Sequence, residues 1–199
     1  MTESLVLASG SATRRSLLEA AGVEFLVKPP GVDEEAVKQS LQAEGADAMD
    51  AAEALAEVKA RQISQSHAGA LVIGADQMLD CEGRWFDKPA DVAGVGDHLR
   101  ALRGRRHRLS TAAVICLDGQ RIWHQRSEAW LTMRKLSDAF IADYVLRFGE
   151  GARSSVGAYR LEREGVQLFT QVSGDHFVIL GLPLLPLLGF LRARGVLAT

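Results

Sequence analysis

The sequence predicts an α/β protein with a long central mixed sheet flanked by helices. Three observations carry that expectation. Short apolar runs such as Leu5–Ala8 and Leu71–Ile73 stand next to helical stretches. Two β-rich segments, Leu109–Leu117 and Gln120–Met133, meet at Asp118-Gly119, a favoured hairpin turn. Hydrophobic residues make up 47% of the chain, enough for a substantial core. Strands and helices in this order belong to α/β or α+β folds with a mixed sheet. A length of 199 residues suits one domain, 1–199, or two lobes sharing a sheet.

The elements follow from local chemistry. Leu5–Ala8 is too short and too apolar for a helix and reads as a buried strand. Ser9, Gly10 and Ser11 turn the chain, and Ser11 is a good N-cap for a helix over 12–21 ending at Gly22. Glu24–Lys28 reads as a short strand stopped by Pro29-Pro30-Gly31. Val32-Asp33-Glu34-Glu35 is a loop or a helix start. A helix over about 46–65 puts Ala48, Ala52, Leu55, Ala56 and Ile63 on one face. Leu71–Ile73 is a second buried strand leading into Gly74-Ala75-Asp76-Gln77. Glu82-Gly83 turns a hairpin that ends at Lys88-Pro89. Asp91 caps a helix to about Arg103, and Ser137 caps another to about Arg147. Gly157-Ala158-Tyr159 is irregular, and 166–172 is a strand. Pro183 starts a final helix, 184–194, closed by Gly195.

Composition excludes several classes. A net charge of −2 argues against a general nucleic-acid binder. Cys81 and Cys116 are the only cysteines and form no CxxC, and no histidine spacing suggests zinc. The start MTESLVLASG lacks the features of a signal peptide, and the apolar stretch 177–191 is cut by glycines and prolines. No membrane span and a cytoplasmic setting are therefore expected.

Charged residues in apolar surroundings carry the chemistry. Arg14 and Arg15 sit in a first helical turn, where the macrodipole disfavours cations. An anion there removes the conflict. Free N–H groups, Ser9, Ser11 and the guanidiniums would then hold phosphate; otherwise the arginines face water. Asp76 can bind Mg²⁺ or accept a proton from water, or simply cap a turn. Lys59 lies beside the apolar stripe of its helix, where it can snorkel outward or point into a cleft. Asp33-Glu34-Glu35 is a solvated run or a source of a metal ligand. Lys88 is a loop lysine with the same ambiguity.

In order along almost the whole chain, these pieces resemble the Maf family of nucleotide pyrophosphatases. The resemblance rests on Ser9-Gly10-Ser11-Ala12-Thr13-Arg14, Val32-Asp33-Glu34, Lys59-Ala60, Gly74-Ala75-Asp76-Gln77 and Lys88-Pro89. It continues through His107 with Thr111, Gly157-Ala158-Tyr159-Arg160-Leu161-Glu162, Gly174-Asp175-His176-Phe177 and Gly181-Leu182-Pro183-Leu184. It implies a fold like the inosine triphosphate pyrophosphatases, with two lobes around a cleft. It also implies hydrolysis of a nucleoside triphosphate between its α and β phosphates, assisted by Mg²⁺ or Mn²⁺, and a homodimer. Asp76 would take the proton from water. Ser9, Ser11, Arg14, Lys59 and Lys88 would bind the substrate, and Asp76 with Glu34 would face the metal. A triphosphate carries roughly four negative charges at neutral pH, which suits those cations.

Three departures bear on the base. In the family, Arg, Thr and Gln at three positions go with dTTP and UTP, and Trp, Gln and Glu go with 7-methyl-GTP. This chain has Thr13, Gln77 and Glu162, so two of three resemble the second set. A carboxylate suits a cationic 7-methylguanine and its N–H donors, whereas Thr13 cannot stack on a ring. The rival expectations are a nucleotide-binding regulator of cell division with little turnover, and a phosphohydrolase that releases orthophosphate.

Overall fold

The computed structural model describes residues 4–198. Those residues fall into two compact units, each described by itself. One lies within Met1–Gln77, Thr111–Ser127 and His176–Thr199, the other within Met78–Ser110 and Glu128–Asp175. A seven-stranded mixed sheet supplies their strands, in the order β2 (Leu26–Val27), β1 (Leu5–Ala8), β3 (Leu71–Cys81), β5 (Arg106–Leu117), β6 (Gln120–Met133) and β7 (Phe169–Ser173), with β4 (Arg84–Phe86) paired to β3. The expected mixed α/β architecture is present.

In the first unit, β1 (Leu5–Ala8) lies parallel to both β2 (Leu26–Val27) and β3 (Leu71–Cys81). Parallel pairing with burial on both faces explains why β1 is a continuous apolar run. Ser11 caps α1 (Ala12–Ala20) by accepting from the Arg14 N–H, and Gly22 closes the helix end with φ 69°. Leu18 of α1 and Leu187 and Leu191 of α7 (Leu184–Ala193) join Leu7, Leu71, Ile73 and Ile115 in one core. Trp123 and Phe190 pack their rings over it at 5.5 Å.

Helix α3 (Ala48–Ser64) crosses β3 very closely. A Cβ on Gly74 would stand 2.1 Å from the Ala56 carbonyl oxygen and 2.8 Å from the Ala60 nitrogen. Glycine is required there because the helix backbone occupies the space a side chain would fill. Ala56 and Ala60 supply the matching small face.

The second unit contains β4 (Arg84–Phe86), antiparallel to the end of β3 through a turn at Glu82-Gly83. It also contains α4 (Val92–Leu102) packed on α5 (Asp138–Ala152). Strands β5 (Arg106–Leu117) and β6 (Gln120–Met133) have residues in both units, and their turn at Asp118-Gly119, both with positive φ as a hairpin demands, belongs to the first. Strand β7 (Phe169–Ser173) pairs antiparallel with β6.

Several expectations change in detail. The segment after Val32 is a full helix, α2 (Glu34–Ala43), capped by Asp33. None of its residues is fully buried, and its apolar side is limited to half-buried Val37 and Leu41, one turn apart. Its cap, its acidic first turn and a Gln39–Glu35 bond support it instead. Strand β3 continues through Asp76 and Gln77, which the sequence placed beyond the strand end. Helix α5 runs five residues past Arg147. The expected strand 166–172 begins as a 3-10 turn, Glu164–Leu168, and becomes extended only at Phe169. A short α6 (His176–Ile179) was not anticipated.

Candidate active site

The turn from β1 into α1 builds one wall of a charged cluster in the first unit. Ser9 is buried, and its Oγ accepts from the Ser11 N–H at 3.2 Å and from Arg14 Nη1 at 3.3 Å. Arg14 Nε donates to the Gly181 carbonyl at 2.8 Å. Burial pulls the Arg14 guanidinium below its ordinary pKa, while the carboxylates of Asp76 and Glu34 hold it up. Those carboxylates offset the cation's placement in the first turn of α1. Arg15, one residue on, faces solvent beside Glu19 at 3.8 Å. Thr13 is half-buried on the same helical turn.

Lys59 is the centre of the cluster. Only 4% of it is exposed, so it does not snorkel to the surface. Its Nζ lies 2.5 Å from Asp76 Oδ1 and 2.8 Å from Glu34 Oε1. The close approach of α3 to Gly74 brings Lys59 to Asp76, two residues further along β3. The acidic run divides its labour: Asp33 caps α2 through the Ala36 N–H, and Glu34 reaches Lys59. Two cations, Arg14 and Lys59, thus balance two carboxylates, Asp76 and Glu34. Lys59 and Asp76 are buried, whereas Glu34 reaches in from a partly exposed position. Removing one partner of the buried Lys59–Asp76 pair costs about 3–5 kcal/mol because a charge is left unpaired.

Chemically, this set can exchange partners. Phosphate oxygens can take over Arg14 and Lys59, and the freed carboxylates can hold a metal or a water proton. Among the described residues no group of three His, Cys, Asp or Glu side chains gathers as a metal site. Mg²⁺, however, is usually held by one or two carboxylates together with substrate phosphates and waters. Asp76 and Glu34, converging on one ammonium, fit that donor set.

Gln77 does something the sequence did not show. Its Nε2 donates to Thr111 Oγ1 at 2.9 Å and to the carbonyls of Val178 and Ile179 at 2.9 and 3.2 Å. Thr111 in turn donates to the Val178 carbonyl at 3.0 Å. Gln77 therefore ties β3, β5 and α6 together directly after Asp76. Thr111 and the Gly181 carbonyl are supporting groups to which the sequence gave no role. Each lies within a motif piece, but only folding supplies its partner.

Lys88 and Glu162 belong to the second unit. Lys88 is exposed, ahead of a buried Pro89. Glu162 lies 3.4 Å from Arg160 Nε, so its carboxylate already has a cationic neighbour. Deeper in the same unit His107, fully buried, meets the Tyr159 hydroxyl through Nε2 at 2.8 Å. Burial lowers the His107 pKa to about 4 and raises that of Tyr159, so both are neutral at neutral pH.

Relatives place this geometry. A nucleoside triphosphate pyrophosphatase of Paramagnetospirillum magneticum is 54% identical over 192 residues, covering 96% of this chain and 99% of its own length. One of Rhodospirillum rubrum is 52% identical, covering 97% and 96%. A 7-methyl-GTP pyrophosphatase of Rhizobium etli is 49% identical over 197 residues, covering 99% of each. The family described as Maf-like protein matches residues 4–194. By its full-length match, and with the motif residues Ser9, Arg14, Glu34, Lys59 and Asp76 gathered in one cluster, the chain belongs to the Maf-like protein family.

Proposed function

We propose that this protein is a nucleoside triphosphate pyrophosphatase. It cleaves the bond between the α phosphorus and the α–β bridging oxygen, giving a monophosphate and pyrophosphate. The observation that carries the reading is Lys59, buried between Asp76 and Glu34 in a chain whose full-length relatives bear that name. In the reaction, phosphate oxygens draw Lys59 out of its ion pairs and engage Arg14, and Ser9, Ser11 and the start of α1 add donors. Lys88 adds a further cation. Asp76 accepts the proton of the attacking water, whose oxygen bonds to the α phosphorus as pyrophosphate leaves with the electron pair. Asp76 and Glu34 would hold Mg²⁺ or Mn²⁺. Such an ion polarises the phosphoryl oxygens and supports the charge of the leaving group.

For the base, the reading leans to 7-methyl-GTP. Gln77 and Glu162 match that group's residues, and two of the relatives carry that name at 49% and 46% identity. Thr13 in place of a tryptophan leaves the cationic ring without its stacking partner. The relatives' names favour turnover over a purely regulatory binder. A homodimer and a cytoplasmic setting complete the proposal; no helix of the described residues is long and apolar enough to cross a membrane. Sedimentation of the purified protein tests the dimer.

The test of function is pyrophosphate release from ATP, GTP, 7-methyl-GTP, dTTP, UTP and CTP with Mg²⁺ or Mn²⁺. Release from one or a few, led by 7-methyl-GTP, is the expected result. A preference for dTTP or UTP would overturn the assignment of Gln77 and Glu162. Orthophosphate as the first product would overturn the reaction itself.

A further inference from the structure

Three rings in the second unit close the base of a surface loop. Tyr159 begins the loop and Phe169 ends it, and their rings meet edge to face at 4.8 Å. His107 of β5 touches both, at 5.6 Å from Tyr159 and 5.9 Å from Phe169, and bonds the Tyr159 hydroxyl. One fully buried imidazole therefore holds both ends of the segment.

Between the ends the chain is tied to itself. The Arg163 N–H donates to the Arg160 carbonyl at 3.1 Å, and the Val166 N–H to the Arg163 carbonyl at 3.2 Å. A Cβ on Gly165 would lie 2.5 Å from the Arg160 oxygen and 2.7 Å from its nitrogen, so the two strands of the loop touch through backbone. Glu162 projects from this tied tip, with Arg160 Nε at 3.4 Å. The entry is strained as well as pinned. Ala158 has φ 63°, a left-handed conformation that costs a non-glycine residue energy and persists only where its surroundings enforce it. Gly157 before it, at φ 74°, has no room for a side chain: a Cβ would stand 2.4 Å from Leu79 Cδ1.

We infer that His107 and Tyr159 are positioning residues that fix the loop carrying Glu162, and thereby set how sharply the enzyme separates one base from another. The inference rests on the proposed pyrophosphatase activity. Neither residue touches phosphate in this scheme, and neither donates a proton. A carboxylate discriminates between bases only if its oxygens are held where the right base presents its donors and charge. Leu168 is buried, and Arg134 donates to the Gln167 and Leu168 carbonyls at 2.9 Å, so the far end is anchored twice; the buried aromatic clamp supplies rigidity to the near end, which leads to the exposed tip 162–164.

The test pairs Tyr159→Phe, which keeps the ring and removes the hydrogen bond, with Gly165→Ala, which pushes the loop apart at its tie. Each is measured alone and combined with Glu162→Gln, for kcat and KM on 7-methyl-GTP and UTP. Amide exchange over residues 160–168 is followed in the same proteins. Both single variants are expected to speed exchange there and to shift the 7-methyl-GTP to UTP ratio of kcat/KM by about fivefold, through KM rather than kcat. In the Glu162→Gln background neither is expected to shift the ratio further, because loop and carboxylate act as one unit. If Glu162→Gln leaves the ratio alone while Tyr159→Phe moves it, the loop sets discrimination through another residue, and only the role of Glu162 fails. Unchanged exchange would overturn the inference, as would faster exchange with an unmoved ratio or an equal loss of kcat on both nucleotides. Absence of pyrophosphate release from the wild-type protein would instead remove the activity on which the inference stands.

Discussion

The charged cluster around Lys59 and the aromatic clamp around His107 are both buried and polar, yet they are solved in opposite ways. At Lys59 an ammonium sits between two carboxylates, whose field also reaches the Arg14 guanidinium. At His107 the charge is given up: burial brings its pKa to about 4, and a neutral ring bonds a neutral hydroxyl. Burying an unpaired ion costs far more than burying a neutral hydrogen-bonded group, so a site with no counter-ion neutralises instead. The difference assigns the work. Matched charges can be exchanged for a ligand's charges, whereas a neutral clamp has nothing to exchange and serves to hold geometry.

Asp76→Asn tests the exchange of charges at the cluster most directly. It is expected to lower kcat by about 10²–10⁴-fold, the usual share of a general base, while nucleotide still binds. A variant that turns over normally would leave the cluster as a folding device only. Next comes Lys59→Met, which strands Asp76 and Glu34 without their ammonium. It is expected to lose about 3–5 kcal/mol in urea unfolding, and Lys59→Met with Asp76→Asn is expected to recover part of it.

The clamp makes a different prediction, in pH. His107 has an ordinary value of 6.5 and a folded value of about 4. Between those values the unfolded chain takes up a proton that the folded chain refuses. Stability from this residue is therefore complete above pH 6.5 and falls as pH drops toward 4, by up to about 3 kcal/mol. Urea unfolding at several pH values checks it: the slope should shrink in His107→Gln relative to the natural protein. An equal slope in both would mean that the histidine is not held neutral.

The smallest effect separates neighbours. Arg15→Ala is expected to change stability by less than about 0.5 kcal/mol, because its partner is a solvent-exposed Glu19. Arg14→Ala removes the Gly181 and Ser9 contacts and is expected to raise KM by about tenfold or more. Steady-state kinetics on both variants distinguishes them, and equal KM values would deny Arg14 its phosphate.

Much of this was legible in the chain itself. The buried strand Leu5–Ala8, the Ser11 cap, the two tight hairpins and the caps at Asp91 and Ser137 follow from local rules of turn and cap chemistry. Motif order along the chain named the family, and with it Ser9, Arg14, Glu34, Lys59 and Asp76 as candidates. For α2 the sequence offered a loop or a helix start at Val32–Glu35 but not its extent, because none of the helix's residues is fully buried. Asp76 was placed past the end of its strand because polar residues look like strand ends until their partners are known.

Which of two neighbours turns inward, and what a polar group meets there, came from long-range packing. Spacing allowed Lys59 to snorkel, and Arg14 and Arg15 looked equivalent. Contacts between residues 17, 25, 52 and 167 positions apart settled these questions: Asp76 and Glu34 around Lys59, Tyr159 on His107, Gly181 on Arg14. Local propensity acts over a few residues and so can be read along the chain. The free energy of a buried charge depends on its surroundings, which exist only once the chain has folded.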